Sequence, residues 1–352
     1  MNSYINGIGI ISPQKTAESD EFLSEAVEYN SDFLPCIDPN FKNYIDPIAS
    51  RRMSRLIKMG VASAKMCLTD AGCSMPDGII TGTGLGSVED TEKILGSVNE
   101  DAPLTNPTPF IQSTYNTISS QIALMLKCTN YNSTYVHRIF SFESGLQDSL
   151  MHVNENDQNN ILVGGIDEMT QNHLGIIRRL GYWKMEPANN LKLLDYSTPG
   201  TIAGQGSAFF LLSGQKNEHS YCRFVDVRTF YRPGNLQMLE EKIISFLADS
   251  GLGLQDIDLV VTGLNGDRNN DEHYYQLQNS CFEGIPFAWY KHLCGEYLTS
   301  SGFALWLAAN ILKRKVVPPV VLLNDSSPKR LKNILIYNHF RQVEHSLILV
   351  SE

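Results

Sequence analysis

No apolar run in this 352-residue chain reaches the ~18 residues needed to cross a bilayer. The opening stretch, Met1 to Gln14, has neither a basic n-region nor a small-residue cleavage site, so it does not read as a signal peptide. These two absences predict a protein without a membrane span, placed in the cytoplasm. Basic residues are scarce: 28 Lys and Arg stand against 38 Asp and Glu, for a net charge of −10. Such a surface repels phosphate backbones and argues against nucleic-acid binding. An acidic carrier protein would need a local basic patch to dock. Arg51, Arg52 and Arg55 offer one, or else are solvated helix charges. The seven cysteines (Cys36, Cys67, Cys73, Cys128, Cys222, Cys281 and Cys294) show no C-x-x-C spacing. That speaks against zinc, and the odd count predicts reduced thiols that mostly fill core. No metal or cofactor is expected, and no low-complexity tract is present.

What is there suits a compact globular protein. Hydrophobic residues make up 42% and charged residues 19%, and the length predicts two domains or two halves. The stretch YINGIGIISP reads as an opening strand. From Asp46 to Gly72, apolar residues recur at helical spacing (Met53, Leu56, Ile57, Val61, Ala64, Leu68), which predicts one helix stopped by Gly72. A strand over GIITG and a glycine loop (Gly82, Gly84, Gly86) lead to another helix. Ile118 to Lys127 reads as a helix buried on most sides, and NILVGGIDEM as a buried strand ending at a Gly-Gly turn. GTIAGQGSAFFLLSG reads as a glycine hairpin entering a buried strand, and the polar run Gly214–Ser220 as the boundary between halves 1–215 and 216–352. The second half repeats the grammar, with strands in RFVDVRTF, IDLVVTGLNG, NILIYNHF and HSLILVSE and helices in LQMLEEKIISFLADSG and SGFALWLAANILKRK. Alternating helices and buried strands predict an α/β fold.

Several stretches, in this order, resemble the β-ketoacyl-acyl-carrier-protein synthases of the thiolase fold. RRMSRLIKMGVASAKMCLTDAG is similar to that family's Arg-rich helix, GIITGTGLGSVEDTE to its Gly-Thr-Gly strand and loop, GGIDEMT to its Gly-Gly-x-x-Glu strand end, and GTIAGQGSAFFLL to its glycine hairpin. The resemblance implies a five-layered αβαβα fold of two pseudo-duplicated halves, and a dimer paired through a strand beside the nucleophile.

It also implies a cysteine nucleophile and two histidines, the first activated at a helix N-terminus and the others stabilising a forming enolate. Here the nucleophile elbow matches Phe140-Ser141-Phe142-Glu143-Ser144-Gly145, which puts Phe142 at the cysteine. The first histidine position matches Asn265. The segment Lys291-His292-Leu293-Cys294-Gly295-Glu296 keeps the family's lysine as Lys291 and sets Glu296 at the second histidine. A salt bridge of Glu296 with Lys291 is expected in place of a carboxylate pair with Glu143. The gating loop becomes Asn338-His339-Phe340-Arg341-Gln342-Val343-Glu344, with Phe340 retained and the glycines gone. Cys294, Ser141, Ser144, His137 and His292 are read as structural. Phe110, Gln112 and Tyr115 resemble the loop that crosses a dimer interface, and are candidates for acyl-tunnel contacts or for ordinary interface packing.

No intact catalytic set remains. The expectation is a non-catalytic, chain-length-factor-like partner of an active ketosynthase in fatty-acid or polyketide-type biosynthesis, with an acyl carrier protein as a further partner. A divergent condensing enzyme or malonyl decarboxylase without the cysteine is the alternative, as is a stand-alone acyl-binding homodimer.

Overall fold

Runs rich in β-branched and aromatic residues form the sheet of the computed structural model, which describes residues 3–17, 21–99, 107–323 and 327–352. Its strands, in chain order, are β1 (Ser3–Ile11), β2 (Gly78–Gly82), β3 (Tyr131–Tyr135), β4 (Asn160–Asp167), β5 (Gly206–Ser213), β6 (Cys222–Tyr231), β7 (Leu259–Thr262), β8 (Phe287–Trp289), β9 (Leu322–Leu323), β10 (Asn333–Phe340) and β11 (Glu344–Ser351). The helices that matter for the site are α1 (Arg55–Asp70), α2 (Val88–Asn99), α3 (Thr108–Gln112), α4 (Thr117–Leu126), α5 (Ser141–Glu155), α6 (Gln171–Arg179), α7 (Leu236–Asp249), α8 (Glu272–Gln278), α9 (Lys291–Cys294) and α10 (Ser301–Arg314).

The strand order is β9-β8-β7-β10-β11-β6-β1-β5-β4-β2-β3, and it contains the same pattern twice. On one side β3, β2 and β4 run parallel, with β5 and β1 antiparallel beyond them. On the other, β8, β7 and β10 run parallel, with β11 and β6 antiparallel beyond. The two runs join where Ser3–Ile5 of β1 pairs antiparallel with Cys222–Phe224 of β6.

Side-chain alternation along each strand feeds two different cores. Leu162 and Phe209 pack outward against α1 and α4, whereas Val163 and Phe210 pack inward against α5 and α10. In the second run Val260 and Leu335 face α7, while Val261 and Ile336 face α10. Both α5 and α10 touch strands of both runs, so these helices form a middle layer between two β layers. α10 is buried at every position from Ser301 to Leu312, and accordingly it is apolar all round. The layers α1/α4, β, α5/α10, β and α7/α8 are the expected αβαβα arrangement.

Three local expectations need correction. The helix read over Asp46–Gly72 is broken: a short turn, Pro47–Ser50, precedes α1, and Ser54 is extended at ψ 164°. The break leaves the Arg52 carbonyl free to accept from the Gln112 side chain. Gly164 and Gly165 lie inside β4, paired with Phe209 and Ala208, and make no turn. α4 is buried only along one face, and Leu124 is 69% exposed. Among the described residues no helix is long and apolar enough to cross a membrane.

Candidate functional site

Strand ends and helix starts of the parallel segments converge on one place, as α/β sheets favour. The tip of β2 abuts the start of α5 so closely that a side chain on Gly82 would strike the Ser141 backbone. A 3-10 turn, Arg138–Phe140, leads into α5; the Ser141 hydroxyl donates to the Arg138 carbonyl at 2.7 Å and accepts from the His137 amide at 2.9 Å. Ser141 is thus occupied in shaping the turn. Phe142, the next residue, is fully buried, with its ring tilted against Phe210 at a centroid distance of 5.7 Å. A Cβ at Gly165 would lie 3.1 Å from that ring, so the glycine of β4 is what lets a phenyl group fill this space.

The matched histidine positions do come together. Asn265 follows β7, and its side-chain amide donates to Glu296 Oε2 at 2.8 Å. Lys291 Nζ donates to the same oxygen at 2.6 Å, with both partners buried. Lys291 and Glu296 stand five residues apart, a spacing that does not face on a helix. They meet because the chain reverses at Gly295, at φ +73°, where a Cβ would strike the Ala203 carbonyl. The Glu296 backbone is tied to Ile202 and Gly204 at 2.9 Å each. Asp271 holds the other side of Asn265, accepting from the amides of Asn265 at 3.0 Å and Gly266 at 2.7 Å. Burial pushes its carboxyl up to about 7 despite those bonds. The second oxygen of Glu296, Oε1, has no protein partner.

Glu143 is a functional-looking group the motif match did not single out as buried. It follows Phe142, is fully enclosed, and neither carboxyl oxygen has a hydrogen-bond partner. Burial pushes it up to about 7, with the Lys291 charge pulling the other way. No hydrogen bond links Glu143 to Glu296; the pairing formed is Lys291 with Glu296, as expected.

The remaining candidates are structural in geometry. Cys294 is buried and donates to the Gly295 carbonyl at 3.3 Å, and burial holds its thiol well above the ordinary range, so it supplies no thiolate. His292 stacks on Trp289 at 3.7 Å, contacts the Val320 carbonyl at 3.0 Å, and is pushed by burial down to about 3. His137 stacks on Phe140. Arg55 is bound to Asp38 at 2.6 Å, which leaves Arg51 and Arg52 as the exposed members of the basic trio.

Phe340 lies beside this cluster on the β10–β11 hairpin, against Tyr182 at 5.9 Å. Arg341 and Gln342 both sit at positive φ, 54° and 59°, which closes the hairpin tightly, and the Arg341 guanidinium covers Tyr182 at 4.1 Å. This is a pinned turn where the resemblance implies a flexible gate. Phe340, Tyr182, Trp183 and Glu296 line a cavity of about 90 Å³. Small-molecule sites run to several hundred Å³, so the space beside Glu296 is too small for an acyl chain. A cavity of about 350 Å³ between β1, α1 and α10 shares none of these residues.

The expected interface loop divides. Phe110 on α3 is 64% exposed and Tyr115 is 53% exposed, with part of the Tyr115 ring over Gly86. Gln112 is turned inward onto the Arg52 carbonyl and is not free for tunnel contact.

No curated protein matches the sequence significantly. Among solved structures, the ishigamide ketosynthase/chain length factor matches with a TM-score of 0.80 at 16% identity, covering 99% of this chain and 98% of that one. A β-ketoacyl synthase from Burkholderia phymatum gives 0.80 at 15%, covering 100% and 99%. A ketosynthase in complex with its chain length factor, from Xenorhabdus doucetiae, gives 0.79 at 13%, covering 99% and 98%. At these identities the likeness shows the fold. The family itself is shown by the β-ketoacyl synthase N-terminal domain, whose profile matches residues 7–217, and the chain therefore belongs to the β-ketoacyl synthase family.

Proposed function

We propose that this chain is a non-catalytic, chain-length-factor-like subunit that pairs with an active ketosynthase in fatty-acid or polyketide-type biosynthesis. One observation carries the reading: the positions that match the family's cysteine and two histidines hold a phenyl ring and a closed Asn265–Glu296–Lys291 network. A phenyl group forms no thioester. A carboxylate at the second histidine position would repel an enolate or an incoming malonyl group, and in this network its charge is already matched by Lys291. The small cavity and the pinned Phe340 hairpin support the same reading.

The exposed part of the molecule supports the pairing. Among the described residues β3 is an open sheet edge, and the two helices packed on it and the residue that follows it carry exposed Leu124, Met151 and Val136. An edge of this kind is a template for another chain. Phe110 on α3 and Tyr115 just after it are exposed and are the side chains proposed to reach the partner's acyl tunnel. Ketosynthase–chain length factor complexes among the structural neighbours favour an active ketosynthase as that partner, with an acyl carrier protein delivering to it.

The test is to incubate the purified chain with malonyl- and acyl-carrier proteins while following intact mass and thioester consumption. The expected result is no adduct and no decarboxylation alone, and one-to-one co-purification with a cysteine-bearing ketosynthase. An adduct on Cys294, Ser141 or Ser144, or turnover abolished by Glu296→Gln, would overturn the proposal.

A further inference from the structure

The edge strand β3 has a charge pattern that bears on which partner it accepts. Among the described residues its outer side is unpaired, and its one neighbour in the sheet is β2. Tyr131, Ser133 and Tyr135 alternate with Asn132 and Thr134, and the two sets face different layers. Asn132 donates to the Ser119 carbonyl at 3.0 Å and Thr134 shares a hydrogen bond with the Ser119 hydroxyl at 2.8 Å, both on α4. Tyr131 faces α5: its phenol donates to Asp148 Oδ2 at 3.0 Å, and its ring lies 4.3 Å from that of His152. Tyr135 faces the same carboxylate; burial first, and then that charge, raises its phenol to about 12.

A second copy added to this edge is constrained by symmetry. A two-fold axis normal to the sheet keeps the α5 layer beside the α5 layer, and it places one residue opposite itself. Keeping all five residues in the ladder requires that residue to be Ser133. Tyr131 then stands opposite the second copy's Tyr135, and the reverse across the axis. Directly opposed side chains lie about 5 Å apart at Cβ. Each phenol pair would therefore bring together two Asp148 carboxylates, one at Tyr131 and one at the Tyr135 opposite. Glu155 lies on the same stripe of α5, and the helix has no Lys or Arg over its 15 residues, nor does β3. The one basic group on this face is the His152 imidazole, whose Nε2 lies 3.6 Å from Asp148 Oδ1, and no Lys or Arg of α5 or β3 adds a fixed positive charge.

We infer that Asp148 is the determinant that turns this edge away from a second copy of itself and toward a non-identical ketosynthase-fold subunit carrying a Lys or Arg at the facing helix position. The inference rests on the heterodimer reading above and adds the chemistry of its specificity. Like charges set against the wrong partner, with a complementary charge on the right one, are how paired subunits discriminate.

The chain itself supplies the probe. Sedimentation velocity of wild type, D148K and D148N, each alone, and of wild type mixed one-to-one with D148K, reads the pairing directly. Wild type and D148K are each expected to remain monomeric at micromolar concentration. Their mixture is expected to form a one-to-one dimer at least tenfold tighter than either alone, and to loosen as salt is raised. D148N, which keeps the hydrogen bond from Tyr131 without the charge, is expected to self-associate more tightly than wild type and to melt at the same temperature. A mixture no tighter than its components, or a tight wild-type homodimer, would overturn the inference. A wild-type homodimer that still takes no acyl adduct would do so while leaving the non-catalytic reading standing.

Discussion

The two ends of α5 and its neighbours treat polar groups in opposite ways. At its start, the space around Phe142, Glu143, Lys291 and Glu296 is sealed: every one of these side chains is buried, and the one ion pair present is closed on itself. Along its outer stripe, Asp148 and Met151 border an open strand edge ringed by exposed apolar residues. The polar groups left without partners at the start of the helix, both Glu143 oxygens and Glu296 Oε1, are enclosed rather than presented to a cleft. The matched catalytic end is enclosed, and the contact end is open. The contrast is what the proposed non-catalytic, partner-binding role rests on.

The largest effect is expected from breaking the sealed end. Lys291→Ala removes the cation that pairs with Glu296 and faces Glu143 and Asp271, and leaves Glu296 as a buried unpaired charge. A loss of about 3–5 kcal/mol in stability is expected, read by chemical denaturation. The double variant K291M/E296L, which removes both charges together, is expected to recover most of it. Next comes Phe142→Ala, at about 3 kcal/mol for the cavity left between Phe210 and Gly165. Phe142→Cys is expected to take no acyl group from an acyl-carrier protein by intact mass, because position 142 is fully enclosed and the neighbouring Glu143 and Glu296 carboxylates disfavour a thiolate. Acylation of that cysteine would show that the sealed end is closed by one residue alone.

Much of this was legible in the sequence, for identifiable reasons. The strands β1, β4, β5, β6, β10 and β11 announced themselves as apolar runs, and α1, α7 and α10 as helical periodicity. The motif spacing placed Phe142, Asn265, Lys291 and Glu296, and the structure brings the last three within hydrogen-bonding distance. What spacing could not convey is which way a side chain turns. Gln112 looked equivalent to Phe110 and Tyr115, yet a helix break fifty-odd residues upstream offers it the Arg52 carbonyl and draws it inward. The Gly-Gly pair of β4 read as a turn because glycines usually mark one. It is in fact the clearance for Phe209 on one face and Phe142 on the other. The burial of Glu143 had no sequence signal, since α5 is polar in composition and becomes interior only when two β layers close over it.

A smaller effect sharpens the electrostatics of the sealed end. The Glu143 carboxyl is raised from its ordinary value of 4.5 to about 7, mainly by burial. The folded state then holds its proton more tightly than the unfolded chain does. This contribution to stability is complete below about pH 4.5 and is lost as pH rises through 7. Glu143→Gln, which stays neutral, is expected to match wild type near pH 4 and to exceed it by about 3 kcal/mol at pH 8. Thermal melts across that range check it. A difference that shrinks as pH rises would mean that Glu143 is ionised and paired.

The smallest expected change in stability belongs to the open end, and it carries the largest consequence for partnership. Phe110→Ser replaces a ring that is 64% exposed and supports no core cluster, so the chain alone is expected to unfold within about 0.5 kcal/mol of wild type. If Phe110 is buried at a ketosynthase interface, the same change removes an aromatic anchor, and such anchors dominate interfaces. Co-purification with the cysteine-bearing subunit is then expected to fall tenfold or more, or the assembled pair to release products of altered length. Product length is the sharper readout, because packing alone would weaken the pair without changing what it makes. An unchanged complex with unchanged products would assign this projection to neither interface nor tunnel, and would leave Tyr115 and the β3 edge as the contact surface.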